Sequence, residues 1–179
     1  MICVFENTID DTSIRKLLEY WYNHESKSVS ILKKYNSYSL NIIEIQDILS
    51  TFNIKKTFPI ELYSVCYLQY IDESYGKTNH DNKYHNHNPL WTYVQYLNDN
   101  YDGGEIHFES GFKYKPKKGD MVCFTGDEPH KATQPYNFKK EYIQTETHNI
   151  LLNRRWAVAG MMLNHNDYFQ NNILPKNIL

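Results

Sequence analysis

The hydrophobic pattern of the chain changes period once, near residue 62. Before that point, "TIDDTSIRKLLEYWYNHE" places Ile14, Leu17, Leu18 and Trp21 at a spacing of about 3.6 residues. This predicts an amphipathic helix with Asp10, Asp11 or Thr12 as its N-cap. A short strand, Cys3 to Phe5, precedes it, and a second helix is expected over roughly Asn41 to Thr51. From Leu62 onward the apolar residues come in short β-rich runs: "ELYSVCYLQYI", "WTYVQYLN", "GEIHF", "DMVCF", "KEYIQTET" and "RRWAVAGMML". Turn residues such as "NDNYDGG" and "PKKGD" separate them. A helical preface followed by many strands predicts an α+β domain built on an antiparallel sandwich or barrel.

Composition narrows the picture. No linker or repeat divides the 179 residues, so one domain is expected over 1–179, with helical support over 1–60, the strand-rich barrel over 61–163 and a tail over 164–179. Nineteen basic and 21 acidic side chains give a net charge of −2, which offers no reason to expect a nucleic-acid partner. No apolar run reaches the length of a membrane span, and "MICVFENTIDD" lacks the pattern of a secretion signal. Cys3, Cys66 and Cys123 sit in apolar contexts without CxxC spacing, which points to reduced core thiols and a cytoplasmic compartment.

Candidate chemistry lies in the histidines. His130 follows "DMVCF" across "TGDEP", and His80 follows "SVCYLQYI" beyond "DESYG", so each stands past the end of a strand. Two histidines from separate strands plus a carboxylate are what a facial 2-His-1-carboxylate iron site requires. With eight histidines in the chain, ordinary surface loop residues are the competing reading.

The ordered words "YVQYLNDNYDGGEIHF", "PKKGDMVCF" and His130 resemble the prolyl-4-hydroxylase-like branch of the iron(II)/2-oxoglutarate-dependent dioxygenases, over Tyr63 to about Met162. The resemblance implies a double-stranded β-helix, a jelly-roll-like barrel flanked by N-terminal helices, with iron in its open mouth. It implies Fe(II) as the metal, 2-oxoglutarate and O2 as cosubstrates, and leaves room for ascorbate. It also implies that Tyr70, ten residues before His80 with Gly76 between them, hydrogen-bonds the cosubstrate's carboxylate. For Tyr70 the bland reading is one more strand aromatic among sixteen tyrosines. Thr92 is a further pocket candidate, with a plain strand role as its alternative. Gly103 and Gly104 match the family's double glycine, at a turn too tight for a side chain.

Two departures stand out. Where the family has His-x-Asp, this chain has His80-Asp81-Asn82. Strand alternation would put Asn82 in the carboxylate's register, whereas a hard cation prefers an anionic oxygen, which a local bulge would let Asp81 supply. The reading taken is His80, Asp81 and His130 as metal ligands; His85 or His87 do not fit the glycine-to-histidine spacing. For the far carboxylate of 2-oxoglutarate, Lys140 satisfies the family's count and Arg155 its context. Arg155 is preferred because a guanidinium grips a carboxylate with two parallel hydrogen bonds, and an inserted stretch from about Tyr136 to Leu152 follows from that choice. Arg154 and Lys139 read as solvated charges. The function implied is hydroxylation of a prolyl residue in a protein or peptide, with a small-molecule substrate as an alternative and no nucleic-acid or membrane partner. A barrel that kept the fold, lost the iron and acts as a binding module is the competing class.

Overall fold

The computed structural model describes residues 1–25, 29–32, 37–41, 62–72, 83–86 and 91–164. The second expected helix lies outside them apart from Asn41, which closes a strand. In chain order the elements are β1 (Ile2–Phe5), α1 (Asp11–His24), β2 (Val29–Leu32), β3 (Ser37–Asn41), β4 (Leu62–Ile71), β5 (Trp91–Tyr96), β6 (Asp102–Gly103) and β7 (Ile106–Phe108). They continue as β8 (Lys113–Tyr114), β9 (Met121–Thr125), β10 (His130–Ala132), β11 (Pro135–Tyr136), β12 (Tyr142–Gln144), β13 (Asn149–Leu151) and β14 (Arg155–Asn164).

Seven strands form an antiparallel sheet in the order β1-β9-β5-β14-β4-β3-β2. The strand expected at Cys3 to Phe5 is therefore an integral part of this sheet, paired with β9. A smaller sheet, β10-β7-β8, packs on one face of it, and β11–β6 and β12–β13 are two-stranded ladders. Strand alternation sorts the side chains to two faces. Leu68, Tyr70, Tyr93, Met121, Cys123, Trp156 and Val158 turn toward α1 and pack with its Ile14, Leu17, Leu18 and Trp21. The intervening residues Tyr96, Val122, Phe124 and Ala157 turn inward, where Ile106 and Phe108 of the small sheet close over them. This is the jelly-roll arrangement of a double-stranded β-helix, with a helix-covered outer face and a barrel interior.

Helix α1 forms where its apolar spacing placed it. Asp10 is the N-cap: its carboxylate accepts the Ser13 N–H at 2.7 Å, satisfying a donor that the first turn leaves without a carbonyl. Trp21 is fully buried, with its ring edge-on to Tyr70 (5.4 Å) and Trp156 (5.2 Å). Side chains of this size each stabilise the fold by about 1.5–3 kcal/mol on burial. Gly160 belongs to the same face, because a Cβ there would lie 2.4 Å from the Tyr93 ring.

Candidate active site

His130 reaches the barrel interior through a tight turn. Glu128 N–H closes on the Thr125 carbonyl at 3.0 Å, and the chain re-enters pairing with His130 opposite Phe108. The sequence suggested a residue beyond a strand end; in the fold His130 opens β10 and is 6% exposed. Its Nδ1 lies 3.0 Å from the Glu128 carbonyl. A carbonyl can only accept, so this contact puts a proton on Nδ1, and in the neutral ring Nε2 then carries the lone pair. The ring lies 4.3 Å from Phe124 and 4.4 Å from the ring of His85.

His85 is the residue that spacing argued against. It makes an antiparallel bridge with His130: His85 N–H to His130 C=O is 3.0 Å, and the reverse bond is 2.9 Å. Directly opposed residues of an antiparallel pair send their side chains to the same face, so the two imidazoles are neighbours. His85 lies in an exposed segment, yet packing against the protein desolvates its ring enough to hold its pKa below the usual histidine range, against a raising hydrogen bond to the Lys83 backbone.

A second polar group forms inside the barrel around Arg155, which is 3% exposed and occupies the inward phase of β14, two residues before Ala157. Its guanidinium carbon is 5.0 Å from the centre of the Tyr96 ring. Desolvation raises the pKa values of Tyr96 and Tyr101, and the neighbouring Arg155 charge partly opposes it. Both phenol oxygens are buried, and neither has a hydrogen-bond partner of regular geometry among the described residues, although Arg155 lies beside both. Thr92, in phase with Tyr96 on β5, carries a third such hydroxyl. Buried hydroxyls without acceptors are costly, and a guanidinium with adjacent phenols is a donor set that suits a carboxylate ligand.

The double glycine protects this group. Gly103 and Gly104 have φ of +62° and +65°, a region that L side chains enter at a cost. A Cβ on Gly104 would sit 2.6 Å from Tyr101 Cε2 and 3.2 Å from Arg155 Cδ. One on Gly103 would meet the Gln134 carbonyl at 2.3 Å.

The structure separates the remaining candidates. Tyr70, assigned by resemblance to the cosubstrate pocket, points the other way. It pairs with Trp156 in register, and both rings pack with Trp21 beneath α1, on the opposite face of the sheet from Arg155. A one-residue change of phase is enough to move a strand side chain between faces, and β4 presents Tyr70 in the outer phase. Arg154, expected to be solvated, lies with its guanidinium 4.0 Å over the Tyr70 ring. Lys140 is exposed beside Tyr142, away from the barrel interior. His80, Asp81, Asn82 and His87 lie outside the described residues. Among the described residues no set of three His, Cys, Asp or Glu side chains converges, so they contribute the His85–His130 pair. Sequence reasoning passed over Tyr96 and Tyr101. Tyr96 had a signal, its alternation with Thr92 on one face of "WTYVQY"; Tyr101, beyond the strand, had none.

The family model of the 2OG-Fe(II) oxygenase superfamily matches residues 65–162. A search of curated protein sequences returns no match. Among solved structures, an oxidoreductase of the 2OG-Fe(II) oxygenase family from Burkholderia pseudomallei superposes with a TM-score of 0.62 at 11% identity, covering 92% of this chain and 85% of that one. A Pseudomonas putida prolyl-4-hydroxylase gives 0.54 at 12% identity, with 91% and 92% covered. HygX from Streptomyces hygroscopicus, with nickel and 2-oxoglutarate bound, gives 0.56 at 9% identity, with 92% and 82% covered. At these identities the superpositions speak for the double-stranded β-helix, while the family match spans more than half of the chain. The chain belongs to the 2OG-Fe(II) oxygenase superfamily and is an iron(II)-dependent oxygenase that uses 2-oxoglutarate and O2.

Proposed function

We propose that this oxygenase hydroxylates a prolyl residue of a protein or peptide, from a site in which His130 and His85 supply the imidazole ligands of iron(II), Asp81 the carboxylate, and Arg155 with Tyr96 and Tyr101 the anchor for the far carboxylate of 2-oxoglutarate. The observation that carries the site is the placement of buried phenol hydroxyls beside a buried guanidinium in the barrel interior that His130 also enters from the facing sheet. His80 competes with His85 for the first imidazole position; the opposed backbone and adjacent rings of His85 and His130 favour His85. The prolyl assignment draws on the motif order "YLN…GGE…PKKGD" and on the likeness to the Pseudomonas putida prolyl-4-hydroxylase.

The donor set suits the group. Imidazole and carboxylate ligands match iron(II), and a planar guanidinium flanked by phenols matches a carboxylate. Iron(II), when bound, supplies the O2 chemistry by which 2-oxoglutarate becomes succinate and CO2 and a substrate C–H becomes C–OH. The chain's own residues do the rest. The Glu128 carbonyl holds the His130 ring by its Nδ1 proton, so that Nε2 keeps a fixed direction. Arg155 binds one end of the cosubstrate, and the hydroxyls of Tyr96 and Tyr101, buried beside it, donate to the same carboxylate. Phe108 and Phe124, both buried, keep the interior around His130 apolar.

The test is succinate release by the purified protein with Fe(II), 2-oxoglutarate and proline-containing peptides, with peptide mass read in parallel. Peptide-stimulated succinate with gain of one oxygen on proline is expected. Stimulation by small molecules or oligonucleotides and by no prolyl peptide would refute the substrate assignment and leave the oxygenase intact.

A further inference from the structure

Arg155 is delivered by a short stretch of backbone, and one buried carboxamide holds that backbone on both sides. Asn98, 1% exposed, accepts the Trp156 N–H on Oδ1 at 2.7 Å. Its Nδ2 donates to the Arg154 carbonyl at 2.8 Å and to Asn100 Oδ1 at 2.6 Å. Leu97 N–H adds a bond to the Trp156 carbonyl at 3.0 Å. The peptide groups immediately before and after Arg155 are thus tied to a residue two positions beyond Tyr96. The Asn98 side chain adds to the β5–β14 ladder in fixing guanidinium and phenol relative to each other.

Asn100 extends the clamp. Its Nδ2 donates to the Lys139 and Leu152 carbonyls, both at 2.7 Å, and its own carbonyl accepts the Lys139 N–H at 2.8 Å. Lys139 and Leu152 are the two ends of the excursion that carries the β12–β13 hairpin between β11 and β14. The pair closes that excursion at its base, so that its length does not loosen the entry into β14.

We propose that Asn98 is a positioning residue for 2-oxoglutarate, acting through Arg155, and that Asn100 isolates this anchor from the hairpin inserted ahead of it. The inference rests on the assignment of Arg155 as the cosubstrate anchor. A misplaced guanidinium weakens binding of the carboxylate end of the ligand and leaves the metal end untouched.

The experiment measures, on the iron-loaded protein, the KM for 2-oxoglutarate, kcat at saturating cosubstrate, and binding of pyruvate, a 2-oxo acid without the far carboxylate. Asn98→Ala is expected to raise the KM by roughly 10- to 100-fold, the range seen when an orienting partner is lost. The kcat at saturation, the iron affinity and pyruvate binding are expected to stay within about twofold. Asn98→Ser, which retains a short polar atom, should show the same selectivity at smaller size and covers the case in which the alanine variant does not fold. Equal losses for 2-oxoglutarate and pyruvate, or no loss for 2-oxoglutarate, would overturn the positioning role. Arg155→Ala is run alongside: if it too leaves the KM unchanged, the anchor assignment fails; if it raises the KM while both Asn98 variants do not, this inference alone fails.

Discussion

His85 and His130 face one another across an antiparallel bridge, exchanging backbone hydrogen bonds of 3.0 and 2.9 Å with their rings 4.4 Å apart. These two histidines, one with its Nδ1 committed to the Glu128 carbonyl, are the imidazole pair that the proposed site assigns to iron. Iron affinity measured by titration under anaerobic conditions checks the pair. His130→Ala and His85→Ala are each expected to abolish tight binding, while His80→Ala retains it. Retention in His85→Ala with loss in His80→Ala would return the first ligand to the position expected from sequence spacing. In the same series Asp81→Ala should lose iron and Asn82→Ala keep it.

Cosubstrate affinity separates Arg155 from Lys140. A buried carboxylate deprived of its charged partner costs about 3–5 kcal/mol, or roughly two to four orders of magnitude in affinity. Arg155→Ala should show that loss with iron binding almost intact. Lys140, on an exposed strand approach, should tolerate alanine with little change. A large effect at Lys140 would place the anchor outside the barrel interior described above.

The phenols make a prediction with opposite signs in the free and bound protein. Tyr96 and Tyr101 each bury a hydroxyl that has Arg155 beside it but no partner of regular geometry among the described residues. Tyr96→Phe and Tyr101→Phe should therefore leave the thermal stability of the free protein unchanged or slightly higher, because a desolvated polar group is removed. Each should weaken 2-oxoglutarate, since a hydrogen bond to a charged acceptor contributes about 1.5–3 kcal/mol. Tyr70→Phe should do neither to cosubstrate affinity, its ring lying under α1 with Trp21 and Trp156. A raised 2-oxoglutarate KM in Tyr70→Phe would contradict that placement.

Two glycines with positive φ should respond differently to alanine. Gly111, at φ +94° with open space around its would-be Cβ, carries the backbone cost alone, about 1 kcal/mol. Gly104 adds a collision with the Tyr101 ring and the Arg155 side chain, so Gly104→Ala should cost about 2–4 kcal/mol and weaken 2-oxoglutarate as well. Chemical denaturation of the two variants, with cosubstrate binding measured alongside, makes the comparison. Equal destabilisation would mean that the Tyr101 ring moves aside freely.

Local patterns in the chain determined much of this protein. The spacing of Ile14, Leu17, Leu18 and Trp21 is the face that α1 buries, and Asp10 before it is the cap, because helix period and capping depend on neighbours a turn away. The β-rich runs from Leu62 become β4, β5, β7, β9, β12 and β14 for the same reason, and the order of the glycine pair, the "PKKGD" turn and His130 was enough to indicate the family. Tertiary structure decided which face and which partner. Tyr70 and Tyr96 are both strand tyrosines in the sequence; pairing in one sheet sends the first under the helix and the second into the barrel, because phase relative to the neighbouring strand is not written in either run alone. His85 and His130 are separated by 45 positions, and no spacing rule along the chain could join them. Their meeting depends on two short segments that pair across the barrel mouth, a long-range contact whose partner only the closed sandwich selects.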